Sequence, residues 1–202
     1  LLTWFGQGAY TVGRKNLRAL RGQGAISVCN HAHTLDTLLV KNALGPFRVY
    51  HTGSYYLLKR GELGRIFKSG GFLPVGTTVS DIKNLQLAVG VLMEKHKIVN
   101  FYPEHALWPR YEKLRPFKPG AFRYAVKFGV PVLPLFIEFR QTRLRKFLHL
   151  KKKVVLHILP AVYPAAEGSE RARTQALSDE VFRCMKEYGA ALYGRPVAWN
   201  EQ

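Results

Sequence analysis

Apolar and polar positions along the 202-residue chain alternate between short unbroken apolar runs and a helical repeat. Ala25 to Cys29, Ile98 to Tyr102, Val132 to Phe139 and Val154 to Leu159 read as buried strands, being short, apolar and bounded by turn signals. Phe47 to His51 and Phe72 to Val75 read as further strands. Between them, Asp36 to Leu44 reads as a helix stopped by Gly45-Pro46. Ile82, Leu85, Val89 and Leu92 recur at helical spacing, with Ser80 as the expected N-cap and Lys95, His96 and Lys97 at the C-terminal end. Tyr55 to Lys68 reads as helix in pieces, broken by Gly61 and Gly64. Gly120 to Phe128 is a helix closed by Gly129, and a last amphipathic helix carries Leu177, Val181, Phe182, Met185 and Tyr188. The alternation predicts an α/β fold: a mostly parallel central sheet flanked by helices, in one domain spanning 1–202. In such sheets chemistry gathers at the carboxyl ends of strands. Asn30 to Asp36, Gly70 to Gly76 and Pro103 to Gly120 are the segments expected there.

Charge adds a second constraint. The chain has 31 Lys+Arg against 13 Asp+Glu, a formal net charge of +18. Such a surface attracts polyanions: nucleic acid, anionic lipid or a charged small substrate. Hydrophobic content of 47% and charged content of 22% suit a packed domain, not a disordered chain. Cys29 and Cys184 fall in strand-like and helix-like runs and read as buried thiols in a reducing compartment, with no metal-type spacing. The longest apolar candidate, Val130 to Ile137, contains two prolines and is too short to span a bilayer. No signal peptide is visible. The chain begins at Leu1, not Met, which leaves an upstream membrane anchor open.

Candidate chemistry concentrates in Asn30-His31-Ala32-His33-Thr34-Leu35-Asp36. A histidine held by a carboxylate is the basic unit of general-base catalysis. On one continuous helix, positions five apart sit about 140° round the axis and cannot touch. A strand ending at His31, a turn, and a helix starting near Leu35 would fold the two together. Two other readings of the segment stay open. It could be a surface loop with chance polar residues. It also resembles the H-x-H-x-D-H zinc signature of metallo-β-lactamase-like hydrolases, which would make His31, His33 and Asp36 ligands of a metal-dependent hydrolase. There the Asp is one position late, Thr37 replaces the next His, and no later Cys or His cluster completes the ligand set. A basic, non-enzymatic nucleic-acid-binding protein is the other alternative, suggested by charge alone and unsupported by any nucleic-acid-binding motif.

Further blocks follow: Tyr102-Pro103-Glu104-His105, then Phe117-Lys118-Pro119-Gly120-Ala121-Phe122, then Val130-Pro131-Val132-Leu133-Pro134-Leu135. With Asn30 to Asp36 and Gly71-Phe72, their order and spacing resemble the glycerolipid acyltransferase family of the NH-x4-D type, from about Asn16 to Tyr163. Members of that family move a fatty acyl group from acyl-CoA or acyl-carrier protein to a lysophospholipid hydroxyl. Bacterial members turn lysophosphatidic acid into phosphatidic acid. The resemblance implies His31 as base, Asp36 as its partner, and Asn30, Gly71 and Glu104 in substrate binding, Glu104 either holding the acceptor or shaping the His31 pocket; read from the residues alone, a Glu after Pro at a strand end could equally be a structural ion-pair partner. It implies no metal, no cofactor beyond the thioester cosubstrate, and no acyl-enzyme intermediate. His33 and His105 read as local hydrogen-bonding groups, and the valine-proline block as packing that lines an acyl groove.

The sequence departs from the family pattern where phosphate should bind. Gly76 and Leu107 stand where family members carry arginine. Arg110, Arg115 and Lys118 are the nearby cations that could replace them, the alternative for each being a solvated surface cation. Arg140 to Lys153 is rich in Arg and Lys, lacks acids, and interleaves Leu144, Phe147, Leu148 and Leu150. It is expected to touch anionic lipid headgroups at the cytoplasmic face of a membrane, or an acidic acyl-carrier protein, unless it is a solvated hairpin.

Overall fold

The computed structural model describes residues 9–45, 48–59, 61, 65 and 70–200. Pro46, Phe47, Gly64 and Lys68, named above in predicted elements, lie outside them. Seven strands form one sheet: β1 (Tyr10–Val12), β2 (Ala25–Cys29), β3 (Val49–Ser54), β4 (Phe72–Val75), β5 (Ile98–Phe101), β6 (Val132–Arg140) and β7 (Lys153–Ile158). Their order is β1-β7-β6-β2-β5-β3-β4. β2 to β6 run parallel, and β7 returns antiparallel to β6, with β1 parallel to β7. The carboxyl ends of five strands therefore share one sheet edge with the start of β7.

Both faces of the central strands are covered, which is why β2 and β5 are buried without alternation, their two polar side chains, Ser27 and Asn100, bonding each other at 2.9 Å. One face packs under α2 (Val79–Glu94), α3 (Gly120–Phe128) and α5 (Glu170–Tyr193), through Val89, Leu92, Phe122, Val181 and Met185. The other packs under α1 (Asp36–Leu44) and the 3-10 helix Arg14–Leu20, through Leu20, Leu39, Val40 and Leu44. Helix ends obey local rules. Thr78, not the expected Ser80, caps α2: its hydroxyl accepts from the Asp81 N–H at 3.1 Å, and the Asp81 carboxylate accepts from the Thr78 N–H at 3.2 Å. Gly129 and Gly194 close α3 and α5 in the left-handed conformation.

Several elements differ from expectation. β3 runs on to Ser54 and is followed by a 3-10 turn, Tyr55–Lys59. β1, the 3-10 helix Arg14–Leu20 and a short α4 (Arg143–Phe147) inside the basic stretch were not expected. Cys29 is a buried free thiol, but Cys184 is half-buried rather than buried.

Candidate active site

β2 delivers the site. At its end the Asn30 side chain continues the sheet: its amide donates to the Ile137 carbonyl at 3.1 Å and its carbonyl accepts the Ile137 N–H at 2.7 Å. Asn30 is 2% exposed and its polar atoms are engaged with backbone. Its side chain therefore orients the strand end through the Ile137 backbone.

The chain then turns. The Asp36 N–H donates to the His33 carbonyl at 3.1 Å, and the Leu35 N–H to His33 Nδ1, also at 3.1 Å. This turn places Asp36 in the first position of α1, where a carboxylate suits the helix dipole. It also closes Asp36 Oδ2 onto His31 Nδ1. His31 lies flat on Tyr102, ring centroids 4.0 Å apart and planes 17° off parallel. The Tyr102 hydroxyl reaches both Asp36 and Thr37, the latter at 3.3 Å. Burial first, then the Asp36 charge, pushes the Tyr102 phenol well up, so it stays a neutral donor. Asp36 is buried, whereas the His31 side chain keeps 21% of its surface. With Nδ1–H on Asp36, Nε2 bonds nothing else among the described residues. Tyr102 was missed in the sequence as a site residue; its only signal was its place at the head of the Pro-Glu block.

Glu104 sits against the His31 backbone. Its Oε2 accepts from the Arg115 guanidinium at 2.9 Å and from the His31 N–H at 3.4 Å, and Oε1 accepts from the Arg115 N–H at 3.3 Å. Burial raises its carboxyl above the usual range, and Arg115 pulls the other way without cancelling the shift. Arg115 also bonds the Ala106 carbonyl and stacks over Trp108, 4.5 Å from the ring centroid. Arg115 is thus a buried partner of Glu104, not the free phosphate ligand expected from its charge. The strand-like segment His31 to Ala32 is stitched to the next loop by Trp108 N–H to His31 carbonyl at 3.0 Å and Arg110 N–H to Ala32 carbonyl at 2.7 Å.

The remaining expected residues divide by position. Arg110 is exposed and lines a cavity of about 470 Å³ beside His33. Lys118 is exposed, anchored by its N–H to the Pro103 carbonyl at 2.9 Å, and does not line that cavity. Gly71 precedes β4, at the amino end of a strand parallel to β2, with Tyr50 packed over it. It lies at the opposite sheet edge from His31, not at the carboxyl end where it was expected. Gly76 does sit at the carboxyl end, but a side chain there would run into the Asp81 carboxylate that caps α2. An arginine at that position would displace the cap. Among the described residues no group of three or more His, Cys, Asp or Glu side chains is placed to hold a metal ion. None of the described helices is long and apolar enough to cross a membrane.

A family model described as Acyltransferase matches residues 10–138. The chain is 26% identical over 161 residues to the 1-acyl-sn-glycerol-3-phosphate acyltransferase of Escherichia coli K12, covering 75% of this chain and 62% of that one. It is 29% identical over 175 residues to the human 1-acyl-sn-glycerol-3-phosphate acyltransferase beta, covering 84% and 61%. The chain thus spans a little over three fifths of the length of these curated relatives. The crystal structure of the 1-acyl-sn-glycerophosphate (LPA) acyltransferase PlsC from Thermotoga maritima superposes with a TM-score of 0.67 at 21% identity, over 93% of this chain and 75% of that one. At that identity the likeness concerns the fold.

Proposed function

The chain belongs to the acyltransferase family, and on that premise we propose that it moves a fatty acyl group from acyl-CoA or acyl-carrier protein to the free hydroxyl of 1-acylglycerol 3-phosphate. The observation that carries the reading is the His31–Asp36 couple, with one imidazole nitrogen spoken for and the other open. Asp36 fixes the tautomer by accepting Nδ1–H. The Nε2 lone pair then takes the hydroxyl proton as the alkoxide oxygen bonds the thioester carbonyl carbon. When the tetrahedral intermediate collapses, the carbon–sulfur bond breaks and the imidazolium returns its proton to the departing thiolate. Asp36 stabilises the imidazolium without taking the proton. Tyr102 and Glu104 hold the ring and its backbone in place. General-base help of this kind contributes about 10²–10⁴ in rate.

We place the basic stretch against anionic lipid. Phe147 is 78% and Leu144 66% exposed, beside Arg143, Arg145 and Lys146 on the same short helix. The stretch leaves the sheet at the edge that bears His31, which suits a substrate drawn from a bilayer. The test is thiol release from acyl-CoA and acyl-carrier protein against a panel of lysophospholipids and neutral alcohols, on anionic and neutral vesicles. Thiol should appear with 1-acylglycerol 3-phosphate, faster on anionic vesicles, and that advantage should vanish in Leu144→Gln/Phe147→Gln. No acceptor-dependent thiol with any donor defeats the transferase reading. An anionic advantage that survives the double variant defeats the lipid contact.

A further inference from the structure

One tyrosine spans both members of the His31–Asp36 couple. Tyr102 follows β5, and its ring lies flat on the imidazole, 4.0 Å between centroids. Its hydroxyl stands 3.3 Å from the Thr37 hydroxyl, in the first turn of α1 beside Asp36, and also reaches the Asp36 carboxylate. The direction of these bonds follows from the phenol, which stays protonated: its O–H donates to Asp36 and its oxygen accepts from Thr37. The neighbouring Cys29 thiol is kept neutral by burial, and Glu104 is committed to Arg115.

The head of α1 lacks a capping side chain. α2, α4 and α5 are each capped by a hydroxyl, from Thr78, Thr142 and Ser169. The N-cap of α1 is Leu35, which offers no such bond. Yet the first turn carries Asp36, a carboxylate 2% exposed that needs donors to stay charged there. The donors it meets are His31 Nδ1–H and the Tyr102 O–H. A flat stack fixes the plane of an imidazole. It leaves free the ring's rotation within that plane and the choice of nitrogen that holds the proton. Both depend on where Asp36 stands.

We infer that the Tyr102 hydroxyl is a positioning group for the base: it pins Asp36 and the uncapped head of α1 so that His31 carries its proton on Nδ1 and keeps Nε2 free. The inference rests on the transferase reading above and divides the labour within one side chain. The aromatic ring sets the plane of the imidazole, and the hydroxyl sets its tautomer through Asp36. Thr37 is the far end of the same chain of bonds, and its hydroxyl turns the phenol toward the carboxylate.

The test uses Tyr102→Phe, which keeps the stack and removes the hydroxyl, and Thr37→Val, which keeps the shape of the far partner. Ring-nitrogen NMR of His31, its signals assigned by their loss in His31→Ala, should show the Nδ1–H tautomer alone in the parent. In Tyr102→Phe the Nε2–H form should appear beside it. Turnover of Tyr102→Phe should fall about tenfold in kcat, as expected for losing a bond to a charged group, with KM for acyl-CoA and for 1-acylglycerol 3-phosphate unmoved. Thr37→Val should lower kcat less, and the double variant should fall no further than Tyr102→Phe alone. A single tautomer in Tyr102→Phe overturns the inference, whatever kcat does, and confines Tyr102 to packing. A raised KM at unchanged kcat overturns it too and makes the hydroxyl a substrate contact. The NMR measurement needs no turnover. A chain that releases no acceptor-dependent thiol therefore defeats the transferase reading while the tautomer still decides the role of Tyr102.

Discussion

His31 and His157 each bond a carboxylate, the first couple just beyond the end of β2 and the second on the neighbouring strands β6 and β7. His31 Nδ1 is held by Asp36, its other nitrogen is open, and its side chain keeps a fifth of its surface. His157 Nε2 bonds Glu138 at 2.8 Å, its Nδ1 accepts from the Tyr188 hydroxyl at 2.8 Å, and it is 2% exposed. Burial is the largest influence on His157 and lowers its pKa despite the carboxylate. For Glu138, burial pushes the carboxyl up, but the bonds from Arg140 and His157 outweigh it and hold the group low. The second couple is a closed circuit in which every donor has an acceptor. A histidine–carboxylate pair is therefore not a catalytic unit in itself. What makes it one is a nitrogen left without a partner at a surface a substrate can reach.

The contrast can be broken by exchanging the loss each couple suffers. His31→Ala should cut thiol release about 10²–10⁴-fold while the thermal unfolding midpoint stays near that of the parent. A variant that keeps full turnover would remove His31 from the chemistry. His157→Leu should do the reverse. It strands the Tyr188 hydroxyl and one Glu138 bond, costing about 2–3 kcal/mol in denaturant unfolding, with turnover unaltered. Lost turnover at unchanged stability would show the two couples to be functionally joined.

Acid sharpens the comparison further. His51 sits under α1 with both ring nitrogens unpartnered among the described residues, and burial, helped by the Lys41 charge, holds its pKa down to about 3. His33 and His157 are lowered too, both chiefly by burial. The unfolded chain binds protons at these histidines near pH 6.5, while the fold refuses them, at His51 until about pH 3. Their contribution to stability is thus complete above pH 6.5 and is lost as pH falls through that window. The slope is at most about 1.4 kcal/mol per pH unit for each histidine. Unfolding midpoints measured from pH 7 to pH 5 should fall, and His51→Leu should flatten that fall. An identical slope in the variant would show that His51 takes up protons in the fold as readily as in the unfolded chain.

Much of this was readable from the residues, and the failures have physical causes. The turn that closes Asp36 onto His31 is local, so Asn30 to Asp36 encodes it within seven residues. The strands and helices of the two-faced sheet follow from unbroken apolar runs alternating with helical repeats. Arg115 was misplaced because a sequence gives a side chain's charge and not its depth; Glu104, eleven positions away, decides where that guanidinium goes. Gly71 was misplaced because its block names the right strand without saying which end of it bears the residue. The reversal of β7 was equally hidden, since a buried strand looks the same in either direction. β1 was missed because three half-buried residues carry too little pattern.

β2 lies between β5 and β6, and its side-chain bonds to them span 73 and 107 positions of sequence. The imidazole is thus held at the junction of stretches that meet only in three dimensions. A piece of chain containing His31 and Asp36 alone has the reactive pair and none of the clamp. Turnover accordingly reports on the integrity of the central sheet, where β2 is paired with both β5 and β6.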